Sequence, residues 1–199
     1  MDDDQLTALL TRIPSSLQKE RFILGVDGLS RSGKTTLVKK LKTLLEQNHT
    51  PVYVFHIDDY IEKRNKRYNT GQKEWFEYYG LQWNVNGLKE TFFSRLRSES
   101  EITLPFYESE TDTMINQLVK LPEACVIIIE GVFLQRGEWR EFFDFMVFLD
   151  CPRDKRFLRE SAHTQVLMEK FQNRYWPAED YYVKMEKPEE NADLVLIEK

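Results

Sequence analysis

Phe22-Ile23-Leu24-Gly25-Val26-Asp27-Gly28-Leu29-Ser30-Arg31-Ser32-Gly33-Lys34-Thr35-Thr36 is the stretch on which the reading of this chain turns. Its first five residues are apolar and end at an acid and a glycine, as a strand buried on both faces does. Gly28 to Thr35 then spells G-x-x-x-x-G-K-T, and residues 35–47 carry Leu37, Val38, Leu41, Leu44 and Leu45 on one helical face before Asn48 and Pro51. Strand, glycine-framed turn and helix, in that order, are the setting in which this motif holds phosphate. Gly28 and Gly33 permit the turns that aim the N–H groups of Ser30, Arg31 and Ser32 inward, and the helix adds its unpaired N–H groups and positive dipole end. Lys34 is expected to reach the β- and γ-phosphates of a nucleoside triphosphate and the Thr35 hydroxyl to ligate Mg²⁺, with Thr36 a second hydroxyl beside it.

Outward from the motif, Val52-Tyr53-Val54-Phe55-His56-Ile57 predicts a second strand that runs into Asp58-Asp59. Val126-Ile127-Ile128-Ile129 predicts another ending at Glu130-Gly131, and Phe145-Met146-Val147-Phe148-Leu149 one ending at Asp150. Leu194-Val195-Leu196-Ile197 would close the sheet. Leu6, Leu9, Leu10, Ile13 and Leu17 recur at helical spacing in a covering helix that Pro14 bends or ends. Leu88, Phe92, Phe93 and Leu96 mark a helix over 84–97, residues 102–105 a short extended piece, and 153–174 a charged helix. Residues 62–79 follow no period and read as a mobile surface segment.

Strands alternating with helices imply a mostly parallel sheet with helices on both faces, because parallel strands need long crossovers. The expectation is an α/β P-loop NTPase fold in one domain over 1–199, with a substrate-side insertion near 61–115 and a lid near 153–176. Ligands of such sheets sit beyond the C-terminal strand ends, where the acids collect here. Glu130, after four apolar residues, has the Walker-B pattern of a second Mg²⁺-holding group. One of Asp58 and Asp59 should face the crevice where an acceptor hydroxyl meets the γ-phosphate, since consecutive residues of an extended chain point opposite ways.

Lys and Arg total 28 against 33 Asp and Glu, a net charge of −5, which argues against a broad grip on nucleic acid or anionic lipid. No run approaches the roughly 20 apolar residues of a bilayer-spanning helix, and the first residues are acidic, so a cytoplasmic protein is expected. Cys125 and Cys151 lack C-x-x-C spacing and read as packing residues. His49, His56 and His163 are scattered, and no structural metal is assigned.

Together, Gly28-Leu29-Ser30-Arg31-Ser32-Gly33-Lys34-Thr35-Thr36, His56-Ile57-Asp58-Asp59-Tyr60, Ile129-Glu130-Gly131 and the closing Pro188 with Ala192-Asp193-Leu194-Val195-Leu196 resemble the uridine kinase group of P-loop kinases. Nicotinamide riboside kinase, phosphoribulokinase and bacterial pantothenate kinase are similar to that group. The resemblance implies transfer of the ATP γ-phosphate to a small-molecule hydroxyl. The family's D-[DS]-[FY] step falls on Asp58 as general base, with Asp59 beside it, and its E-G step falls on Glu130. Its P-x-Y-[DE] step falls on Pro105-Phe106-Tyr107-Glu108, making Tyr107 a substrate-pocket residue.

Three places depart from the family pattern. No His follows Tyr107 in Ser109-Glu110-Thr111-Asp112-Thr113. The ribose-binding F-D-H-P segment is absent, with Trp75-Phe76-Glu77-Tyr78-Tyr79 in roughly its region and Glu77 as the stand-in acid. The R-L-x-R-R lid reads Arg156-Phe157-Leu158-Arg159-Glu160, leaving Arg156 and Arg159 on one helix face to swing over the phosphates.

The function expected is that of an ATP- and Mg²⁺-dependent kinase whose acceptor is a small molecule, a nucleoside first. A second reading is a regulatory module that uses ATP occupancy to order a partner surface around 62–79. A third, an ATPase acting on nucleic acid, is disfavoured by the acidic balance.

Overall fold

The computed structural model describes residues 3–198. Helix α1 (Asp3–Leu10) leads into β1 (Arg21–Gly28), α2 (Lys34–Gln47) and β2 (Val52–His56), after which a 3₁₀ turn spans Ile57–Tyr60. Short helices α3 (Arg64–Arg67), α4 (Glu74–Gly80) and α5 (Val85–Thr91) precede the hairpin of β3 (Glu101–Glu108) and β4 (Thr113–Lys120). Then come β5 (Cys125–Gly131), β6 (Phe145–Asp150) and helices α6 (Arg153–Leu158), α7 (Ala162–Gln165) and α8 (Met168–Lys170). A π-helical turn, Phe171–Tyr175, joins α9 (Trp176–Glu186), and α10 (Pro188–Asn191) leads to β7 (Leu194–Ile197).

The five-stranded sheet has the order β2-β5-β1-β6-β7, and every pairing in it is parallel. The period-two alternation of a strand divides its side chains between two cores. Leu24 and Val26 of β1, Val126 and Ile128 of β5, and Val147 and Leu149 of β6 pack against Leu37, Val38, Leu41 and Leu45 of α2, with Leu9 and Ile13 beyond. Ile23, Ile127, Ile129 and Met146 face the other way, into a cluster rich in rings: Phe92, Phe93, Trp83, Trp139, Phe133 and Tyr182. Each such side chain contributes roughly 1.5–3 kcal/mol on full burial.

The α/β sheet matches the expectation, and four segments differ from it. The first helix ends at Leu10, so Ile13 reaches the core from the turn that follows. Residues 84–97 do not make one helix: Asn84 caps α5 by accepting from Gly87 N–H at 3.0 Å, and the chain tightens to a 3₁₀ turn at Phe93–Arg95. The extended piece at 102–105 is the middle of β3, whose partner β4 is mostly exposed and has no apolar alternation strong enough to announce it. Residues 153–174 break into three short helices and a π turn, with Ser161 starting a new cap by accepting from Thr164 N–H at 3.1 Å.

Residues 62–79 lie mostly at the surface, as expected, and are tied inward at Glu77. Glu77 of α4 pairs with Arg174 of the π turn at 3.2 Å, with both side chains at most 4% exposed, and accepts from Thr70 N–H and Oγ1 at 2.7 and 2.9 Å. Burial alone would raise the Glu77 carboxyl, but these donors and Arg174 hold it below its ordinary range. Removing one member of such a pair leaves the other charge buried and unmatched. Glu77→Ala should therefore lower unfolding stability by about 3 kcal/mol in urea denaturation; a change within error would mean that the segment is held by something else.

Candidate active site

The glycine-framed turn fits between β1 and α2 because two of its residues are small. A Cβ on Gly28 would lie 2.7 Å from Ser32 Oγ and 2.9 Å from the Leu149 carbonyl. Gly33 adopts φ +103°, a left-handed conformation from which α2 starts. The turn is then pinned from outside. Asp27, fully buried, accepts from the Tyr182 hydroxyl, from Gln135 Nε2 at 3.0 Å and from Leu134 N–H at 3.3 Å, and burial pushes its carboxyl upward despite these bonds. At Ser30, Glu179 accepts from the N–H at 3.1 Å while Arg156 donates to the carbonyl at 3.0 Å. Arg159 donates to the Arg31 carbonyl at 3.0 Å.

Above the turn opens a hollow of about 830 Å³. It is lined by Ser30, Arg31, Gly33, Lys34, Thr35 and Thr36, by Asp58 and Glu130, and by residues between α6 and the start of α9, including Arg156, Arg159, Phe171, Tyr175 and Trp176. Lys34 is 8% exposed, donates to the Leu29 carbonyl at 3.0 Å, and has its pKa lowered by burial against the pull of Glu130, Asp27 and Asp58.

Parallel register puts His56 of β2 beside Glu130 of β5. Glu130 Oε1 takes a 2.6 Å bond from His56 Nδ1 and a 2.9 Å bond from Thr35 Oγ1. Burial would raise the Glu130 carboxyl, yet those two bonds and Lys34 keep it below its ordinary range. The same bond from Glu130 raises His56, favouring the imidazolium that donates. Glu130 Oε2 is buried without a partner. Because Thr35 donates its proton to Glu130, its oxygen keeps lone pairs for a cation, and an all-oxygen pair suits Mg²⁺, which retains several waters and takes few protein ligands. The residues present thus fit that ion.

Asp58 is exposed to the hollow on the first turn after β2, held by Trp83 Nε1, which donates to the Ile57 carbonyl at 2.9 Å. Desolvation by its surroundings raises its carboxyl pKa, with Glu130 and Asp59 adding to the rise and Lys34 opposing it. Tyr78 and Gln82 line the same hollow. Gln82 is 8% exposed and its Oε1 is buried without a partner, while its carbonyl accepts from Glu62 N–H at 2.8 Å.

Not every expected residue reaches this place. Ser32 is buried inside the turn, its Oγ unpartnered. Asp59 lies outside the lining, near His56. Tyr107 is turned away: its hydroxyl donates to Asp112 at 2.9 Å and accepts from Arg67 at 3.2 Å. Glu77 is paired with Arg174 and lies outside the lining of the hollow. Arg156 is no free lid arginine, because Glu179 holds it at 2.8 and 3.0 Å and it donates to the Cys151 carbonyl as well. Sequence reasoning missed Gln82, Tyr78 and Glu179. None sits in a motif, and only the polar Gln82 and Asn84 flanking Trp83 hinted at a built turn.

This fold and loop are those of a P-loop kinase. The sequence model of the Phosphoribulokinase / Uridine kinase family matches residues 23–162, and the chain belongs to that family, a family of kinases. It is 22% identical over 189 residues to a uridine kinase of Ureaplasma urealyticum serovar 10, covering 89% of each chain. It is 27% identical over 192 residues to a uridine kinase of Borrelia garinii subsp. bavariensis, covering 88% of this chain and 86% of that one. A solved structure from Bacillus stearothermophilus, described as a possible uridine kinase, shares 47% identity over 97% of both chains with a TM-score of 0.84. A protein of Silicibacter sp. TM1040, proposed to be a fructose transport system kinase, superposes with a TM-score of 0.76 at 20% identity over 96% of both chains, a likeness of fold.

The charges of the hollow make a direct prediction. NMR titration should place the His56 imidazole above 6.5 and return it toward that value in Glu130→Gln. The Asp58 carboxyl should titrate above 3.8, and Asp59→Asn, which removes a like charge, should move it down. An Asp58 midpoint at or below 3.8 would refute the assigned environment.

Proposed function

We propose that the protein is an ATP- and Mg²⁺-dependent phosphotransferase that moves the γ-phosphate to a hydroxyl of a small molecule, with a nucleoside as the acceptor to which its uridine kinase relatives point. The observation that carries this reading is that Lys34 and Asp58 line one hollow at the C-terminal ends of parallel strands, close enough for each to perturb the other's proton affinity.

The main-chain N–H groups of the loop and the start of α2 receive the β- and γ-phosphates, and Lys34 sets its charge against them. Thr35 Oγ1 and Glu130 would hold Mg²⁺, which would neutralise charge on the phosphate oxygens when bound. Asp58 accepts the proton of the acceptor hydroxyl as that oxygen bonds to the γ-phosphorus and the bond from phosphorus to the β,γ-bridging oxygen breaks, leaving ADP. Its raised pKa makes Asp58 a stronger base than an ordinary carboxylate. Gln82 brings a neutral amide side chain to the wall of the hollow, and Tyr78 and Tyr175 offer ring walls. A neutral amide in this position suits a polar, uncharged acceptor such as a sugar bearing several hydroxyls.

A mass-spectrometric screen of a metabolite library with ATP and Mg²⁺ should reveal a gain of one phosphoryl group on a nucleoside or a similar polyol. Slow hydrolysis indifferent to every acceptor would favour a regulatory role for nucleotide occupancy instead. Asp58→Asn should cut the transfer rate by about 10²–10⁴-fold with ATP binding nearly intact, whereas Lys34→Ala should weaken ATP binding too. Gln82→Ala should raise the acceptor KM several-fold, about 1 kcal/mol, and leave the ATP KM in place. Equal turnover in Asp58→Asn and the unaltered protein would remove the base.

A further inference from the structure

Both main-chain polar groups of one loop residue are held by the two members of a single ion pair. Glu179 Oε1 accepts from Ser30 N–H at 3.1 Å, and Arg156 Nη1 donates to Ser30 O at 3.0 Å. The pair itself is bidentate, at 2.8 and 3.0 Å, with side chains 6% and 2% exposed. Tyr182, three residues beyond Glu179 and so on the same face of α9, holds Asp27. α9 therefore grips the junction of β1 and the loop at two points.

Electrostatics gives the arrangement its meaning. Glu179 acts on the charge of Lys34 and lines the hollow. Alone, a buried carboxylate there would repel a triphosphate, and bound to Arg156 it is neutral while still taking the Ser30 N–H. Of the three N–H groups expected to face phosphate, that of Ser30 is held by Glu179 and that of Ser32 donates to the Leu29 carbonyl at 3.2 Å, which leaves that of Arg31. We propose that Arg156 and Glu179 are positioning residues: a charge-neutral clamp that fixes the Ser30 peptide, and with it the first part of the phosphate cradle, before nucleotide arrives. Arg156 then acts on the phosphates through the loop rather than by touching the transferring group. This deepens the proposed function and rests on it for the nucleotide.

The two members of the clamp make unequal predictions. Arg156→Gln strands the carboxylate beside the triphosphate. Glu179→Gln removes a negative charge and keeps an acceptor for Ser30 N–H. The double variant is neutral again, and the amide oxygen introduced at position 179 can still accept from Ser30 N–H. Calorimetric titration with ATP and Mg²⁺ should show affinity on the order of tenfold weaker in Arg156→Gln, less weakened in Glu179→Gln, and largely restored in the double variant. Hydrogen exchange of the free protein, with thermal unfolding as the check on folding, should show faster exchange over residues 29–33 in Arg156→Gln and recovery in the double variant.

A double variant as weak as Arg156→Gln would overturn the clamp. So would a transfer rate reduced about 10³-fold in both with exchange over 29–33 unchanged, since Arg156 would then contact the phosphoryl group directly. Absence of ATP binding by the unaltered protein would remove the proposed function, while the exchange measurement would still decide whether the pair holds Ser30.

Discussion

Main-chain N–H groups can cradle an anion only when something other than those groups holds the chain that carries them. Here that constraint is met from below and from the side. β1 is the middle strand of the sheet, paired along its length to β5 and at its C-terminal half to β6. At its end the Asp27 carboxylate draws in Tyr182, Gln135 and Leu134, so the last rigid residue before the loop is tied to two further segments. The strong desolvation of a fully buried acid is tolerated because three donors meet it.

The two faces of the sheet divide the labour. Aliphatic side chains of α2 cover one face and fix the helix whose N-terminus closes the loop. The other face is covered by rings, among them Trp83, Phe92, Phe93 and Trp139, contributed by the segments between β2 and β6. Trp83 shows how packing becomes chemistry: its ring is buried in that cluster, its Nε1 binds the Ile57 carbonyl, and the next residue is Asp58. A carboxylate lining the hollow is thereby aimed by a core aromatic, and Gln82 comes with it as Trp83's neighbour in the chain.

How much of this could be read beforehand follows from which forces are local. The strands of the central sheet are short runs of apolar residues bounded by acids and glycine, and their existence and order along the chain are visible in the letters. The phosphate loop is visible for the same reason, since its glycines, lysine and threonine are needed at fixed spacing. The segments that depart from expectation are held by pairings between distant residues. Glu77 looks like any surface acid until Arg174, 97 positions away, is brought to it. Arg156 and Arg159 are alike in sequence and differ in structure because Glu179 stands behind only one of them. β4 has most of its side chains in solvent, so no hydrophobic period marks it, and only pairing with β3 makes it a strand.

The anchors of the loop carry a consequence for how the molecule comes into being. Ser30 is secured by a residue 149 positions further along, and Asp27 by one 155 positions further along. Loop closures of that span come late, after nearer partners have already met. A chain emerging from the ribosome would have its glycine turn long before it had the helix that steadies it. The loop is therefore steadied only once α9 has been made, and a truncated product lacking α9 would keep the motif without those two anchors.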